Sequence, residues 1–301
     1  MQFSRCCKLA RSDFDFPASL AINGAARPGP FQLRSRRSSE EADLSSAINP
    51  TTILVGEGPA AREIAVEQRP GSAPGLFWLN GFKSDMSGSK ALAVDAYGAA
   101  RGLAVTRFDY SGHGRSGGDF LEGTVSRWLE EALAVFARTE GPQVVLGSSL
   151  GGWLALLLNK ALRDRGEARV KELILIAPAV DATKDLMNAR FSPAERKSLA
   201  ERGYVERASQ YGPEPYVYTR GLLDDGDRHL LFDGVIETGC PVTILQGGKD
   251  PDVPQEHALK LVSHLLHDPV TLTLIPDGDH RLSRPEDLQR LQDAIGRAVA
   301  G

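Results

Sequence analysis

Gly147-Ser148-Ser149-Leu150-Gly151 stands between the apolar run Gln143-Val144-Val145-Leu146 and the helical pattern Trp153-Leu154-Ala155-Leu156-Leu157-Leu158. The order is strand, sharp turn, helix, the context a G-x-S-x-G turn requires to expose a nucleophilic serine. A serine held in a strained turn has neighbours packed very close, and Gly147 and Gly151 carry no side chains to clash there. The turn lifts the Ser149 oxygen from the sheet and points it toward the helix amino terminus, where free N–H groups can hold an oxyanion. Ser149 is the candidate nucleophile.

Such a serine needs a base, and the base needs an acid to orient it. In one arrangement of the three groups, the acid and then the histidine follow the serine on loops after later strands. Pro241-Val242-Thr243-Ile244-Leu245-Gln246-Gly247 reads as a buried strand ending in the loop Gly248-Lys249-Asp250. Val270-Thr271-Leu272-Thr273-Leu274-Ile275 reads as another, followed by Pro276-Asp277-Gly278-Asp279-His280. His280 is therefore the candidate base and Asp250 its orienter. Among the rivals, His257, His264 and His267 fall on or just after a helix spanning Gln255 to Leu266, where a polar surface accounts for them. His229 belongs to a polar stretch of an insertion. Asp252 stands three residues before Gln255, where a helix N-cap would sit, and Asp279 adjoins His280 too closely to bond its ring.

An oxyanion hole takes two backbone N–H donors. Leu150, next after the nucleophile, supplies one. The second comes from the loop Asn80-Gly81-Phe82-Lys83 after the strand Gly75-Leu76-Phe77-Trp78-Leu79, with Phe82 as donor and Gly81 allowing close approach.

The 301 residues are ample for a substantial core. A formal net charge of −4 gives no sign of a nucleic-acid or anionic-membrane partner. Cys6, Cys7 and Cys240 form neither a metal-ligand spacing nor a disulfide framework, and no stretch approaches membrane-spanning length. No metal and no cofactor is called for. Residues 1–50 differ from the rest: basic as far as Arg37, then polar and acidic from Ser38 to Ser46. They read as a disordered extension, and a cytoplasmic location follows unless they form a mitochondrial transit peptide.

From Thr51 onward, a hairpin (51–55 and 63–67) leads into strands that alternate with helices. The strands are near-continuously apolar, which implies a mostly parallel α/β sheet covered on both faces. Catalytic loops then lie at the carboxyl ends of its strands. From about 182 to 235 the pattern breaks into aromatics interleaved with charges, including Tyr204, Tyr216 and Tyr218. That stretch reads as a small helical cap, and inward-facing aromatics would favour an apolar acyl group.

The loops Asn80-Gly81-Phe82, Phe108-Asp109-Tyr110-Ser111-Gly112-His113-Gly114-Arg115-Ser116, the serine turn, Gly247 to Pro254 and Gly278-Asp279-His280 together resemble the α/β-hydrolase superfamily over about 51–300. Phe82-Lys83-Ser84-Asp85-Met86-Ser87-Gly88-Ser89-Lys90-Ala91, Gly147-Ser148-Ser149-Leu150-Gly151-Gly152-Trp153 and Asp279-His280-Arg281 are similar to the palmitoyl-protein thioesterase and acyl-glucuronide esterase group. The resemblance implies Ser149, Asp250 and His280 as a triad acting on acyl thioesters or carboxylic esters, small or protein-linked. A peptidase or C–C bond hydrolase on the same scaffold is the alternative, and an inactive binding module is a third reading. One departure stands out: the superfamily commonly places histidine before the glycine of the oxyanion loop, and this chain has Asn80, which could order the loop through side-chain hydrogen bonds.

Overall fold

The computed structural model describes residues 48–209 and 214–301; the N-terminal extension expected over residues 1–50 falls almost wholly outside them. The chain opens with an antiparallel pair, β1 (Asn49–Val55) and β2 (Arg62–Arg69), paired from Asn49–Gln68 to Val55–Arg62. There follow β3 (Ser72–Leu79), α1 (Ser89–Arg101), β4 (Leu103–Phe108), α2 (Val125–Phe136), β5 (Gln143–Ser148), α3 (Leu150–Asp164) and β6 (Val170–Ile176). After an insertion come β9 (Val242–Gly247), α6 (Gln255–His264), β10 (Val270–Ile275) and α7 (Pro285–Ala300).

The eight strands order as β1-β2-β4-β3-β5-β6-β9-β10, and only β2 runs against its neighbours. The central strands are the ones whose sequences read as unbroken apolar runs. β5 and β9 are buried along their whole length because helices cover both faces. One face packs against α1 and α7, through Val94, Tyr97, Leu291 and Ile295. The other packs against α2, α3 and α6, with Trp128, Phe136 and the α3 leucines at its centre. Leu154, Leu157, Leu158 and Leu162 are each nearly or fully buried, and each such burial stabilises by about 2 kcal/mol. No helix among the described residues is long and apolar enough to cross a membrane.

The insertion between β6 and β9 is not wholly helical. It contains short helical turns over 183–190, α4 (Pro193–Arg202) and α5 (Arg220–Gly226), but also an antiparallel pair, β7 (Tyr204–Arg207) and β8 (Tyr216–Thr219). Four-residue strands leave too little alternation to read, although Tyr, Val and Thr are the residue types that suit a pleated surface. α4 begins with a reciprocal capping box between Ser192 and Glu195.

Candidate active site

β5 ends at Ser148, and the chain turns so sharply that Ser149 takes φ 55° and ψ −119° before α3 begins at Leu150. Close packing makes this turn possible. A Cβ on Gly147 would lie 2.1 Å from the Gly151 carbonyl oxygen, and one on Gly151 would lie 2.2 Å from that of Leu79. The Ser149 N–H donates to the Ile176 carbonyl at 2.8 Å, and its own carbonyl accepts from Gly152 and Ala179. The strained residue is thus bonded on both sides, which is what such a conformation needs to persist.

The loops after β9 and β10 bring the two other predicted residues to it. His280 Nε2 lies 3.1 Å from Ser149 Oγ, and His280 Nδ1 lies 2.8 Å from Asp250 Oδ2. With Nδ1–H donating to the carboxylate, Nε2 is left as an acceptor for the serine hydroxyl. Asp250 is buried, and its Oδ1 accepts the backbone N–H groups of Asp252 and Val253 at 2.9 and 2.8 Å. The carboxylate is therefore fixed by its own turn.

Two expectations need correction here. Asp252 does not cap α6: the N-cap is Pro254, without a side-chain bond, because Asp250 organises the turn before it. Asp252 instead lies in a cluster with Asp250 and His280, their ligating atoms within 4.8 Å of one another. The Asp250–His280 hydrogen bond runs through the heart of that cluster, which makes it a poor cage for a metal ion. His257 is not a surface residue. It is buried, its Nε2 lies 2.8 Å from the Val180 carbonyl oxygen, and its ring meets Phe232 edge-on. Burial lowers its pKa, so it sits neutral beneath the insertion.

The loop after β3 lies against the serine turn: a Cβ on Gly81 would stand 3.4 Å from Ser149 Cβ. Leu150, as the first residue of α3, has an N–H beyond the reach of the intrahelical ladder. Asn80 is buried and bonded at both ends of its amide. Its Oδ1 accepts from Trp78 Nε1 at 2.7 Å, and its Nδ2 donates to the Phe108 carbonyl at 2.6 Å. The asparagine orders the loop by side-chain hydrogen bonds.

One residue of this framework was not singled out by the sequence. His113, buried in the loop after β4, accepts the Lys83 N–H on Nε2 at 3.2 Å, while Nδ1 faces the Ser111 carbonyl oxygen at 3.1 Å. Burial pushes its pKa down to about 4, so the ring is neutral and can accept. Asp109 also ties the two loops together, accepting from the Met86 and Arg115 N–H groups at 2.7 and 2.8 Å. The sequence signal was the loop Ser111 to Ser116 itself, but which of its residues reach across depends on tertiary contact.

Two cavities meet at Ser149 and His280. One, of about 320 Å³, runs beneath the insertion and is lined by Leu186, Met187, Tyr216, Tyr218 and Val253. The Phe82 ring stacks on Tyr218 at 5.7 Å and 18°. Arg190, Arg207 and Asp252 also border this cavity, so its rim is polar. The other, of about 180 Å³, opens toward the start of α1 and is lined mainly by serines and charged groups.

The alpha/beta hydrolase family matches residues 70–291. The chain is 35% identical over 231 residues to mouse mitochondrial palmitoyl-protein thioesterase ABHD10, covering 76% of each chain. It is 34% identical to the human protein of the same name over 236 residues, 77% of this chain and 75% of that one. Among solved structures, a protein from Agrobacterium vitis S4 assigned as a hydrolase is 50% identical with a TM-score of 0.82, over 84% of this chain and 99% of that one. The α/β-hydrolase domain-containing protein 10 from mouse aligns at 30% identity and a TM-score of 0.73, over 83% of this chain and 98% of that one. The family match spans β3 to β10 and the loops that carry Ser149, Asp250 and His280, and the chain belongs to the alpha/beta hydrolase family as a hydrolase of the esterase or thioesterase type.

Proposed function

We propose that this hydrolase cleaves acyl thioesters or carboxylic esters through Ser149, His280 and Asp250, by way of an acyl-enzyme. The observation that carries the reading is the continuous hydrogen-bonded line from Ser149 Oγ through His280 to Asp250. His280 Nε2 takes the serine proton as Oγ attacks the acyl carbonyl, and the Phe82 and Leu150 N–H groups hold the oxyanion. The leaving thiol or alcohol departs with that proton. Water, deprotonated by the same nitrogen, then releases the acid. Asp250 keeps the imidazole in the required tautomer and balances its transient charge.

The insertion over about 182–235 acts as the cap, and the cavity beneath it takes the acyl group. Leu186, Met187, Tyr218 and the Phe82 ring offer the apolar contact that an acyl chain seeks. The naming of the ABHD10 relatives as palmitoyl-protein thioesterases supports thioester substrates. The same names carry the word mitochondrial, which supports the organellar alternative; the cytoplasmic expectation gains nothing from them.

The test is a panel of p-nitrophenyl esters and acyl thioesters, from acetyl to palmitoyl, run on wild type and Ser149→Ala. Turnover that disappears in the variant is expected. Turnover that survives it would overturn the assignment of the nucleophile.

A further inference from the structure

The loop after β3 turns on a strained residue. The Ser84 N–H donates to the Gly81 carbonyl at 3.2 Å, closing a tight turn in which Lys83 stands third, with φ 54°. A positive φ at that position suits glycine, which has no Cβ to clash there. A lysine in the left-handed region costs free energy that glycine would not, and it persists only where its surroundings hold it. Lys83 is held at both ends. Its backbone N–H donates to His113 Nε2 at 3.2 Å. Its ammonium donates to the Pro215 carbonyl at 3.0 Å and to Glu214 Oε2 at 3.3 Å, both in the insertion, and stands 5.6 Å from the centre of the Phe120 ring.

The two acceptors are not equal. The Glu214 side chain is 82% exposed, so its ion pair with Lys83 is weak and screened by salt. The Lys83 side chain is only 24% exposed, and its charge-assisted bond to the fixed Pro215 carbonyl is the firmer tie. Pro215 stands immediately before β8, whose first residue, Tyr216, borders both cavities at Ser149. The Tyr216 ring lies 5.9 Å from that of Phe82, tilted by 32°. One side chain thus joins the residue after the proposed oxyanion donor to the residue before a wall of the catalytic cleft.

We propose that Lys83 is a positioning residue whose side chain ties the oxyanion turn to the start of β8, so that the insertion, and not the loop alone, sets the Phe82 N–H against Ser149. The inference rests on the acyl-enzyme reading above, in which that N–H holds the oxyanion. The cap then takes part in every turnover, including those of acyl groups too short to fill the cavity beneath it. In this role no bond to Lys83 forms or breaks, and its ammonium keeps its charge throughout.

The experiment follows hydrolysis of p-nitrophenyl acetate by wild type, Lys83→Met, Lys83→Asn, Lys83→Arg and Ser149→Ala. Methionine keeps the apolar stem and drops the ammonium. Asparagine tolerates the left-handed backbone but is too short to reach Pro215, and arginine keeps both reach and charge. We expect kcat to fall about tenfold in the methionine and asparagine variants with KM within about twofold, and arginine to restore most of it. Hexyl trifluoromethyl ketone, which captures the serine as a hemiketal oxyanion, reads the hole directly. Its inhibition constant is expected to rise by the factor that kcat/KM falls. An unchanged kcat in the methionine and asparagine variants overturns the tie. So does a loss that arginine fails to restore, or one that the ketone does not follow. Turnover that persists in Ser149→Ala, or a ketone that fails to inhibit wild type, overturns the acyl-enzyme reading and the tie with it.

Discussion

The backbone N–H of Lys83 donates to Nε2 of His113 across two loops that are 30 residues apart in sequence. Phe82, the proposed oxyanion donor, is the residue immediately before that anchor. The peptide that follows Phe82 is therefore held by a neutral imidazole, and through it the path of the chain at the proposed donor. His113→Phe keeps a buried aromatic ring among Tyr110, Phe120 and Trp128 but removes the acceptor. We expect kcat to fall about tenfold with KM little changed, as when an interaction made in the transition state is loosened. Steady-state kinetics on a p-nitrophenyl ester check it; an unchanged kcat would mean that the loop holds itself.

The same residue gives a pH dependence with a defined sign. Its folded pKa of about 4 lies below the unfolded value of 6.5, so the unfolded chain binds the proton first. The stability that His113 contributes is complete above pH 6.5 and is lost as pH falls toward 4, by about 2 kcal/mol at pH 5. Urea unfolding at pH 7.5 and pH 5 should show wild type losing more stability than His113→Phe by about that amount. The buried His257 and the half-buried His229 drift in the same direction and are common to both proteins.

Ser149 is one of five non-glycine residues with positive φ among the described residues, at φ 55° and ψ −119°. Ser149→Ala and Ser149→Gly both remove the hydroxyl, so their difference isolates the backbone. The glycine variant should be the more stable by about 1 kcal/mol, because relief of strain exceeds the extra freedom glycine has when unfolded. Thermal denaturation of the two inactive variants measures it directly. Equal melting temperatures would show that the turn is relaxed.

The two loop carboxylates can be separated by their amides. Asp250→Asn should lower kcat on the order of 10³-fold, since the amide favours the wrong imidazole tautomer. Asp252→Asn should cost less than about tenfold, because His280 Nδ1 is bonded to Asp250. A reversed order would make Asp252 the orienting acid.

Tyr218 stacks on Phe82 at the floor of the larger cavity. Tyr218→Ala should lower kcat/KM for palmitoyl and octanoyl substrates by about tenfold while sparing acetyl ones. Equal losses at every chain length would remove the acyl chain from this cavity.

The strands and the serine turn could be read from the sequence because burial on both faces and a sharp glycine-flanked turn each impose a local pattern. Ser149, Asp250 and His280 were legible for a related reason: each follows a strand that is itself legible. What could not be read depends on contacts between distant segments. His257 looked like part of a helix surface because nothing local places Val180 over it. Asp252 matched an N-cap position, but the turn was already organised by Asp250. β7 and β8 were hidden by their shortness.

Among the described residues β10 is the last strand of the sheet and pairs only with β9, with most of its residues incompletely buried. It also leads into the loop that holds His280. The serine, by contrast, sits at the end of a strand hydrogen-bonded on both sides and buried throughout. The proposed nucleophile and base are therefore anchored to parts of the molecule with unequal resistance to opening, since edge elements release before central ones. As temperature or denaturant rises, we expect the sheet margin to loosen first and turnover to fade while most of the helical signal persists. The operating limit would then be set at the border of the sheet rather than at its core.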